Sequence, residues 1–358
     1  MTNRNSSWKN KPFLLHPAGK DYLWGGTRLI KDFGKHIFRD DAHSLLMEPL
    51  AETWECSTHP DGLSIVASGE YQGYTLSEVL RKHPEYLGTH PRTKAELPIL
   101  IKLIDAKEDL SVQVHPDDEY AKSHENGAMG KSEMWYVLDA AEGTELIYGF
   151  RNDITEETLK ESLESHTIEK YVQKVKVSKD DVFFVEAGIV HAIGAGALIV
   201  EIQENSNLTY RLYDYQRVDR TGQPRELHIE KALQVINRKS SIEPRQPMRV
   251  LRYKPGCARE LLCRCKYFQV ERLLLQTEEL GERNGFGGVE FSAGENSFQV
   301  LLCVDGQGRL QEKKVCGTEC STEDSLCIDF KKGDCIFVPA DSIRLELNGK
   351  AQMLQISC

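Results

Sequence analysis

The chain has 358 residues, about twice the length of a typical domain, so two domains or a duplicated fold are expected. Apolar residues make up 40% of it and charged residues 28%, which is the composition of an ordinary globular enzyme. The formal net charge of −10 at pH 7 disfavours nucleic acid and anionic membrane surfaces as partners.

The first residues, MTNRNSSWKNKPFLLHP, contain no apolar core long enough for a signal peptide, and no run approaches the roughly 20 apolar residues that cross a bilayer. A cytoplasmic location is therefore predicted, in which thiols stay reduced. Nine of the ten cysteines lie between Cys257 and Cys358, in spacings that do not form zinc knuckles. Cys263 and Cys265 would share one strand face, so a metal or redox site stays open beside the alternative that they are small buried hydrophobes.

Short β-rich runs bounded by Gly, Pro or Asp dominate the first two thirds of the chain and predict a mainly β fold. The predicted strands lie in residues 63–69, 97–106, 133–140, 144–150, 181–188 and 197–203.

Helix signals are fewer, and the predicted helices decorate the β core as a small insertion. They lie in residues 75–88, 154–167 and 226–237. The first begins at Thr75, with Glu78 three residues later, which is the pattern of a capping box.

A polar segment with two prolines, residues 238–249, separates these elements from a second β-rich region. We therefore place a domain boundary near residue 245, giving domains 1–245 and 246–358. Strands resume in 267–275, 298–306 and 335–340.

Two segments suggest a weak internal duplication. DDVFFVEAGIVH (180–191) and GDCIFVPADSIR (333–344) share the frame D-x-x-F-V-x-A, which predicts a strand delivered to a tight turn in each case. The first copy ends in His191 and the second in Arg344, so only the first supplies an imidazole that can bind a metal.

The segment SVQVHPDD (111–118) alternates polar and apolar side chains. On a strand, Ser111, Gln113 and His115 would share one face, while Val112 and Val114 would share the other. Either the polar face meets water, or it points into a pocket where Gln113 and His115 bind a common ligand.

Two further donors favour the pocket. Glu133 opens the next predicted strand, and His191 follows the turn after FFVEAG. Two neutral imidazoles, one carboxylate and one amide oxygen suit a divalent ion such as Zn²⁺, with positions left open for water or substrate. Each residue alone has an ordinary explanation, so only the joint pattern is informative.

Several motifs carry a family resemblance at this point: SVQVHPDD, GKSEMWYVL, FFVEAGIVHAIGAG, EIQENSNLTYRLYDYQR, DYLWGGTRL and ETWECSTHPDG. In order and spacing, nearly end to end, they resemble type I mannose-6-phosphate isomerases of the cupin fold, particularly the short bacterial form. The resemblance implies two cupin (jelly-roll) barrels with a small helical insertion. It also implies one zinc ion in the N-terminal barrel, with Gln113, His115, Glu133 and His191 as ligands.

The cupin pattern usually has Gly before the last ligand strand and Pro-x-Gly after it. In the first copy, Asp180 replaces the Gly before the strand and Glu186 replaces the Pro after it, while Gly188 is kept. The second copy lacks the histidine, so we expect the C-terminal barrel to be metal-free and structural.

The implied reaction interconverts mannose 6-phosphate and fructose 6-phosphate through a cis-enediol, so the expected partner is a small sugar phosphate. A hairpin turning at residues 205–207 would bring Glu201 opposite Tyr210 or Arg211. By motif match, Arg211 would steady the enediolate, and Lys131 would take part in orientation or acid–base work. The alternative for Lys131 is an exposed loop lysine. Glu201 is a candidate base, with a rim carboxylate paired to Arg211 as the equal alternative.

Substrate binding is assigned to three residues. Lys102 interrupts the apolar run PILIKLI, where a charge requires a partner or a solvated cavity. With Ser111 it makes a plausible phosphate grip, whereas an edge-strand lysine reaching solvent is the alternative. Trp24 is assigned to the sugar pocket, although a strand tryptophan is more often simple core.

Two other functions stay open from the sequence. One is a non-catalytic sugar-phosphate-binding protein that keeps the fold, and the other is a different metal cupin such as an Fe²⁺ dioxygenase. The complete donor set together with Lys131, Glu201 and Arg211 argues against the first. The lysine and arginine anion grip argues against the second.

Overall fold

A computed structural model of the chain describes residues 10–39, 42–93, 96–219, 222–241, 245, 249–278, 288–313 and 326–358. Strands account for 42% of the residues and helices for 14%, which confirms the mainly β prediction. That each half forms a cupin barrel stays a prediction.

Within the described ranges the strands, numbered in chain order, are β1 Phe13–His16, β2 Ala18–Lys20, β3 Phe38–Arg39, β4 Ala42–Leu46, β5 Glu52–Cys56, β6 Ile65–Val66, β7 Ile99–Asp105, β8 Val112–Val114, β9 Glu133–Ala140, β10 Glu145–Phe150, β11 Val172–Lys176, β12 Val182–Val185, β13 His191–Ala192, β14 Ala197–Glu204, β15 Tyr210–Tyr213, β16 Leu251–Lys254, β17 Cys257–Arg264, β18 Gln269–Gln276, β19 Val289–Phe291, β20 Gln299–Glu312, β21 Cys327–Lys331, β22 Cys335–Val338 and β23 Leu345–Ser357.

The α-helices of the same ranges are α1 Arg28–Lys31, α2 Leu76–Lys82, α3 Asp118–His124, α4 Glu156–Glu164 and α5 Ile229–Val235. The capping box predicted for α2 is present, since Thr75 accepts the Glu78 backbone N–H and the Glu78 carboxylate accepts that of Thr75. The helix stops at Lys82 because Pro84 cannot continue it, and a 3-10 turn follows. Among these described helices, none combines the length and apolar character needed to span a bilayer.

The chain divides into two compact units that are interleaved in sequence. Unit 1 comprises Met1–Ala18, Glu55–Pro98 and Met248–Cys358, and unit 2 comprises Gly19–Trp54 and Ile99–Pro247. The last transition lies close to the predicted boundary at 245. The first two segments of unit 1 differ from the predicted division, because β1 pairs with β22 in register Phe13↔Phe337 and β6 pairs with β1.

Unit 1 contains a ten-stranded sheet whose main path runs β16-β17-β18-β23-β20-β22-β1-β6 within the part of the chain described. Its buried core is almost entirely aliphatic and aromatic. A stack of three rings ties the N-terminal strand to this unit: Phe337 lies with its centroid 5.3 Å from that of Phe13 and 5.3 Å from that of Phe298. The N-terminal strand is therefore an integral part of the C-terminal unit.

Unit 2 is built on a six-stranded sheet, β12-β9-β14-β7-β5-β2, and a five-stranded sheet, β11-β10-β13-β8-β15. On one face of the larger sheet, each central strand has polar side chains towards one end of the strand and apolar side chains towards the other end. On β14, Glu201 shares its face with Ile199; on β7, Lys102 shares its face with Ile104. The apolar ends belong to one core cluster, so the polar ends lie beside it at one end of the unit.

The strand β8 has its apolar side chains directed away from this polar end. Val112 and Val114 are fully buried in a second apolar cluster, with Leu159 and Leu163 of α4 and Ala232 of α5. This confirms that the strand is covered by helices on its apolar face and turns its polar face inward. The surface-strand interpretation is wrong.

The two repeat segments share backbone conformation at equivalent places. Asp180 and Gly333, before the strand, have φ of 73° and 96°; Gly188 and Asp341, after it, have φ of 89° and 50°. These left-handed angles favour glycine, and aspartate is among the side chains that tolerate them. Asp and Gly have exchanged places between the copies while the turns are kept.

The predicted hairpin between Glu201 and Arg211 is wrong. β14 pairs with β7 and β9, whereas β15 pairs with β8 in the other sheet, where Arg211 lies opposite Gln113. The Gln203 side-chain amide donates to the Glu204 and Ser206 carbonyls, 2.9 and 2.5 Å away. These bonds stabilise a turn that passes the chain from one sheet to the other.

We expect Phe337→Ala to lower the free energy of unfolding of unit 1 by about 3–5 kcal/mol, because it removes the central ring of the stack. Chemical denaturation monitored by circular dichroism measures the change. Leu261→Ala, at an exposed position of β17, is the control and should change stability by less than about 0.5 kcal/mol. Equal effects of the two substitutions would contradict the proposed role of the stack.

Candidate active site

Four predicted donors converge where β8 meets β13. His191 lies opposite Gln113 in the sheet, and its Nε2 is 3.1 Å from His115 Nε2 and 3.4 Å from the Gln113 side-chain amide nitrogen. Glu133 closes the group, with Oε2 3.5 Å from His115 Nε2 and Oε1 3.4 Å from His191 Nε2. The donor atoms of the two histidines and the glutamate lie within 4.8 Å of one another.

The histidines present lone pairs to this common point. His115 Nδ1 is 2.7 Å from the Leu208 carbonyl oxygen and His191 Nδ1 is 2.8 Å from that of Ile189, so each Nδ1–H donates to a carbonyl. The two Nε2 atoms are then unprotonated and face each other. Burial, together with the Lys131 charge, holds the pKa of both imidazoles below the ordinary value, to about 4 for His191. Neutral imidazoles fixed in this tautomer are the form that binds a metal ion.

Glu133 completes the argument for a cation. Its carboxylate is fully buried, and neither oxygen accepts a hydrogen bond of good geometry. Burial and the Glu201 charge raise its pKa to about 7, against the effect of the Lys131 ammonium 3.0 Å away. A buried carboxylate facing two imidazole lone pairs is costly unless a cation lies between them. The donor set therefore fits a divalent metal ion.

A line of five buried, alternating charges leads away from this point: Glu133, Lys131, Glu201, Lys102 and Glu52. Lys131 Nζ is 3.0 Å from Glu133 and 3.8 Å from Glu201. Lys102 Nζ is 3.0 Å from Glu201 and 3.8 Å from Glu52. Strand register produces the order, because Glu201 lies opposite Lys102 on one side and Trp135 on the other.

Glu201 is held ionised at the centre of this line. Burial alone would raise its pKa, but Lys102, Lys131 and the Trp135 indole N–H, 3.1 Å from Oε2, lower it to about 2. Burial likewise works against the Lys102 ammonium, and Glu201 and Glu52 outweigh it and raise its pKa. Both groups are charged at neutral pH.

Three of the ordinary alternatives are wrong. Lys131 is 3% exposed and is not an exposed loop lysine. Lys102 is 4% exposed on β7, which lies between β14 and β5, so it is not at a sheet edge. Glu201 is 3% exposed and pairs with the two lysines, so it is not a rim carboxylate.

Arg211 lies on the neighbouring strand of the smaller sheet. Its Nε donates to Ser111 Oγ at 3.3 Å, and its Nη1 donates to the Glu226 carbonyl oxygen at 2.8 Å. Both acceptors are neutral, so neither neutralises the guanidinium. The two residues predicted to bind phosphate therefore lie in different surroundings. Ser111 lies beside the Arg211 guanidinium, whereas Lys102 lies beside two carboxylates.

Trp24 is placed in the apolar core of unit 2, with Ala51 and Ile104. It also reaches the wall of a cavity of about 350 Å³ that Tyr22 and Arg217 line as well. Its assignment to the sugar pocket stays a prediction.

The sequence interpretation missed Glu52 and Trp54. The Trp54 indole N–H donates to Glu52 Oε2 at 2.8 Å, and Lys102 Nζ lies 5.1 Å from the centre of the Trp54 ring. A buried lysine needs a counter-charge, and acidic residues in other predicted strands were the available signal. The motif ETWEC places Glu52 and Trp54 on one strand face, which would have identified the pair.

We expect His191→Ala to weaken zinc binding by at least about 100-fold, because it removes one of the two imidazole donors. Competition with a chromophoric chelator measures the affinity. His124→Ala, which removes an exposed imidazole from α3, is the control and should leave the affinity unchanged. Wild-type affinity in His191→Ala would show that these donors do not hold the ion.

Comparison with known proteins shows the family of the chain. A family model described as phosphomannose isomerase type I, catalytic domain, matches residues 13–149. Mannose-6-phosphate isomerase ManA of Bacillus subtilis is 35% identical over 344 residues, covering 96% of this chain and 98% of the relative. Mannose-6-phosphate isomerase of Streptococcus mutans is 40% identical over 226 residues, covering 63% and 68%.

Solved structures give the same result. The crystal structure of mannose 6-phosphate isomerase from Bacillus subtilis superposes with a TM-score of 0.80 at 31% identity, covering 96% of this chain and 99% of the other. A phosphomannose isomerase from Salmonella typhimurium, at 16% identity and a TM-score of 0.69, covers 96% and 98% and supports the fold alone. The chain belongs to the type I phosphomannose isomerase family.

Proposed function

We propose that this protein interconverts mannose 6-phosphate and fructose 6-phosphate through a cis-enediol, with one Zn²⁺ per chain. One observation carries the proposal: a convergent His115–Glu133–His191 donor set is joined directly, through Lys131, to a buried line of alternating charges. A binding protein without catalysis has no need to bury ionised groups at such a cost. Moving a proton between adjacent sugar carbons requires charged groups in fixed positions.

The donor chemistry supports zinc. Two neutral imidazole nitrogens and one carboxylate oxygen, with Gln113 as a fourth donor, match the ligands that Zn²⁺ prefers in catalytic sites. When bound, the ion would polarise a sugar oxygen and so make the neighbouring C–H group more acidic. The free state of all eight described cysteines also fits the reducing compartment proposed for the protein, the cytoplasm.

The remaining roles belong to the chain's own charges. Lys131 lies between Glu133 and Glu201, where its ammonium can donate to a sugar oxygen as negative charge develops there. Glu201 is a weak base at a pKa of about 2, so its contacts favour a role in holding Lys131 and Lys102 in place. Arg211, half-buried and bonded to neutral acceptors, is available to stabilise the enediolate.

Phosphate binding is proposed for Lys102 and Ser111, and sugar contact for Trp24. Ser111 Oγ already accepts a hydrogen bond from Arg211, so its own proton is free to be donated to an anionic oxygen. Lys102 shares its charge with two carboxylates, and it would bind phosphate only alongside them. A substitution of Ser111 therefore tests the proposed phosphate contact more directly than a substitution of Lys102.

The reaction is tested by adding fructose 6-phosphate to the Zn²⁺-loaded protein in D₂O and following mannose 6-phosphate by proton NMR. Because the enediol step passes the proton through an exchangeable group, we expect deuterium at C2 of the product. His191→Ala should lose turnover, while His124→Ala keeps it. Binding of the sugar phosphate without turnover by metal-loaded wild type would favour a non-catalytic protein instead.

We expect Ser111→Ala to raise KM for mannose 6-phosphate about three- to tenfold with little change in kcat, since one hydrogen bond made in both ground and transition states is lost. Steady-state kinetics provide both constants. Ser123→Ala, an exposed hydroxyl on α3, should change neither. A fall in kcat at unchanged KM would place Ser111 at the reacting carbons instead of at the phosphate.

A further inference from the structure

A polar cavity of about 490 Å³ lies in unit 1, in a part of the chain to which the proposed reaction assigns no role. Arg344, the last residue of the second repeat segment, lies on its wall. The equivalent position in the first repeat segment is His191, one of the candidate metal ligands. The other polar residues of the wall are Arg259, Glu290, Ser292 and Gln355. The cavity is therefore a candidate counterpart of the active site in the second repeat.

The pairing of the strands supports this correspondence. Val185 and Val338 are equivalent, because each is the sixth residue of its repeat segment. Val185 pairs with Glu133 on β9, and Val338 pairs with Gln299 on β20. Gln299 therefore occupies in unit 1 the place that Glu133 occupies in unit 2.

The next positions correspond in the same way. Two residues further along, β9 lies opposite Glu201 and β20 lies opposite Gln355. Across the following pair of strands, Glu201 faces Lys102 and Gln355 faces Glu271. Gln355 and Glu271 therefore take the places of Glu201 and Lys102.

The apolar part of this face is also alike in the two units. The residues two positions away from Gln299, Gln355 and Glu271 on their own strands are Leu301, Met353 and Leu273. Side chains two positions apart on a strand share a face, and all three of these belong to the apolar core of unit 1. Unit 1 thus has a polar group at the edge of an apolar core, as unit 2 does.

The chemistry of this polar group differs from that in unit 2. Neutral amides replace the two carboxylates, and a guanidinium replaces the imidazole. The Gln355 side-chain amide donates to Gln299 Oε1, and Arg259 Nη1 donates to Gln355 Oε1 at 3.2 Å. These groups do not fit a divalent cation, because arginine has no lone pair to offer and the amides contribute no negative charge.

Positive charge is in excess on the cavity wall. Arg259 Nη1 lies 3.5 Å from Glu271 Oε2, and the Glu290 carboxylate accepts a hydrogen bond from the Lys313 ammonium, so both carboxylates are paired. Across the residues that the structure describes, Arg344 forms no ion pair. Its backbone carbonyl oxygen accepts the Lys313 N–H at 2.9 Å, which fixes its place beside β23. The Arg344 guanidinium therefore brings an uncompensated positive charge to the cavity.

We propose that this cavity binds a small phosphorylated ligand, whose phosphate group lies against the Arg344 and Arg259 guanidinium groups. A planar guanidinium donates two parallel hydrogen bonds to phosphate oxygens, and such charge-assisted bonds are strong. Ser292 supplies a hydroxyl donor, and Phe291 and Leu345 supply an apolar wall. Inorganic phosphate and a sugar phosphate share this chemistry. The proposal does not depend on the reaction assigned to unit 2.

The test measures hydrogen–deuterium exchange in the zinc-loaded full-length protein, titrated separately with inorganic phosphate, mannose 6-phosphate and mannose. Phosphate and mannose 6-phosphate should slow exchange in peptides that cover residues 289–292 and 344–347, whereas mannose should not. Protection at lower concentrations of mannose 6-phosphate than of phosphate identifies a phosphorylated sugar as the ligand, and otherwise the ligand is free phosphate. No protection of these peptides, or equal protection by mannose, overturns the proposal.

Two arginine variants test the contact itself. Arg344→Gln removes the guanidinium at an exposed position and should raise the half-saturating concentrations of phosphate and mannose 6-phosphate at these peptides about tenfold or more. Arg309→Gln, which removes an exposed β20 arginine paired to Asp329, is the matched control and should leave them unchanged. Unchanged protection in Arg344→Gln would refute the site. Because the readout is local to unit 1, a wild-type protein without isomerase activity would leave this test intact.

Discussion

The ion pair between Lys102 and Glu201, 3.0 Å long and almost entirely buried, is the interaction on which the organisation of unit 2 depends. Either charge alone would be strongly destabilising. Each partner also lies near a second opposite charge, Glu52 for Lys102 and Lys131 for Glu201. With all five groups ionised, three carboxylates face two ammonium groups, leaving one negative charge in excess. A divalent cation at the donor set reverses that sign, which suits a site that must receive a phosphate ester.

The line of charges is possible because neighbouring strands are in register. Glu201 faces Lys102 directly across the sheet, and the same faces of β7 and β14 continue into the apolar cluster that holds Trp135 and Ile104. Close packing of the apolar side chains fixes the positions of the strands. The charged side chains on the same strands are positioned as a result. The four carboxylate and lysine side chains on β5, β7, β9 and β14 are therefore held by a rigid support. Lys131 lies in the loop just before β9, where its backbone N–H donates to the Pro116 carbonyl oxygen.

Local patterns in the sequence predicted a large part of this arrangement. Alternation in SVQVHPDD placed Gln113 and His115 on one face, and the donors Glu133 and His191 favoured an inward direction for that face. The capping box located the start of α2. The pairing of β15 could not be read in this way, because a short turn after Glu204 looks the same in sequence whether it returns to its own sheet or crosses to another. Glu52 was missed for a related reason: its partner Lys102 lies 50 positions later, and only the fold brings them together.

The same contrast applies to the domain boundary. The polar, proline-containing segment near residue 245 lies close to one transition between the units, at Pro247 and Met248. The assignment of β1 to unit 1 leaves no local trace, because it depends on a partner strand more than 300 residues away. β6 joins the same unit through its pairing with β1. Patterns of two to seven residues indicate which face of a strand is buried and where a helix is capped. They do not indicate which distant strand pairs with a given strand.

The interleaving of the two units has a consequence for synthesis of the chain. Unit 2 is complete once Pro247 has been made, whereas β1 receives its partner β22 only after Cys335–Val338 has been made, about 90 residues later. Until then the N-terminal strand exposes unpaired backbone groups and its apolar face, which is the condition under which nascent chains aggregate or recruit chaperones. A fragment ending at residue 245 would keep the whole set of candidate catalytic residues and still carry β1 and β6 without the sheet they belong to.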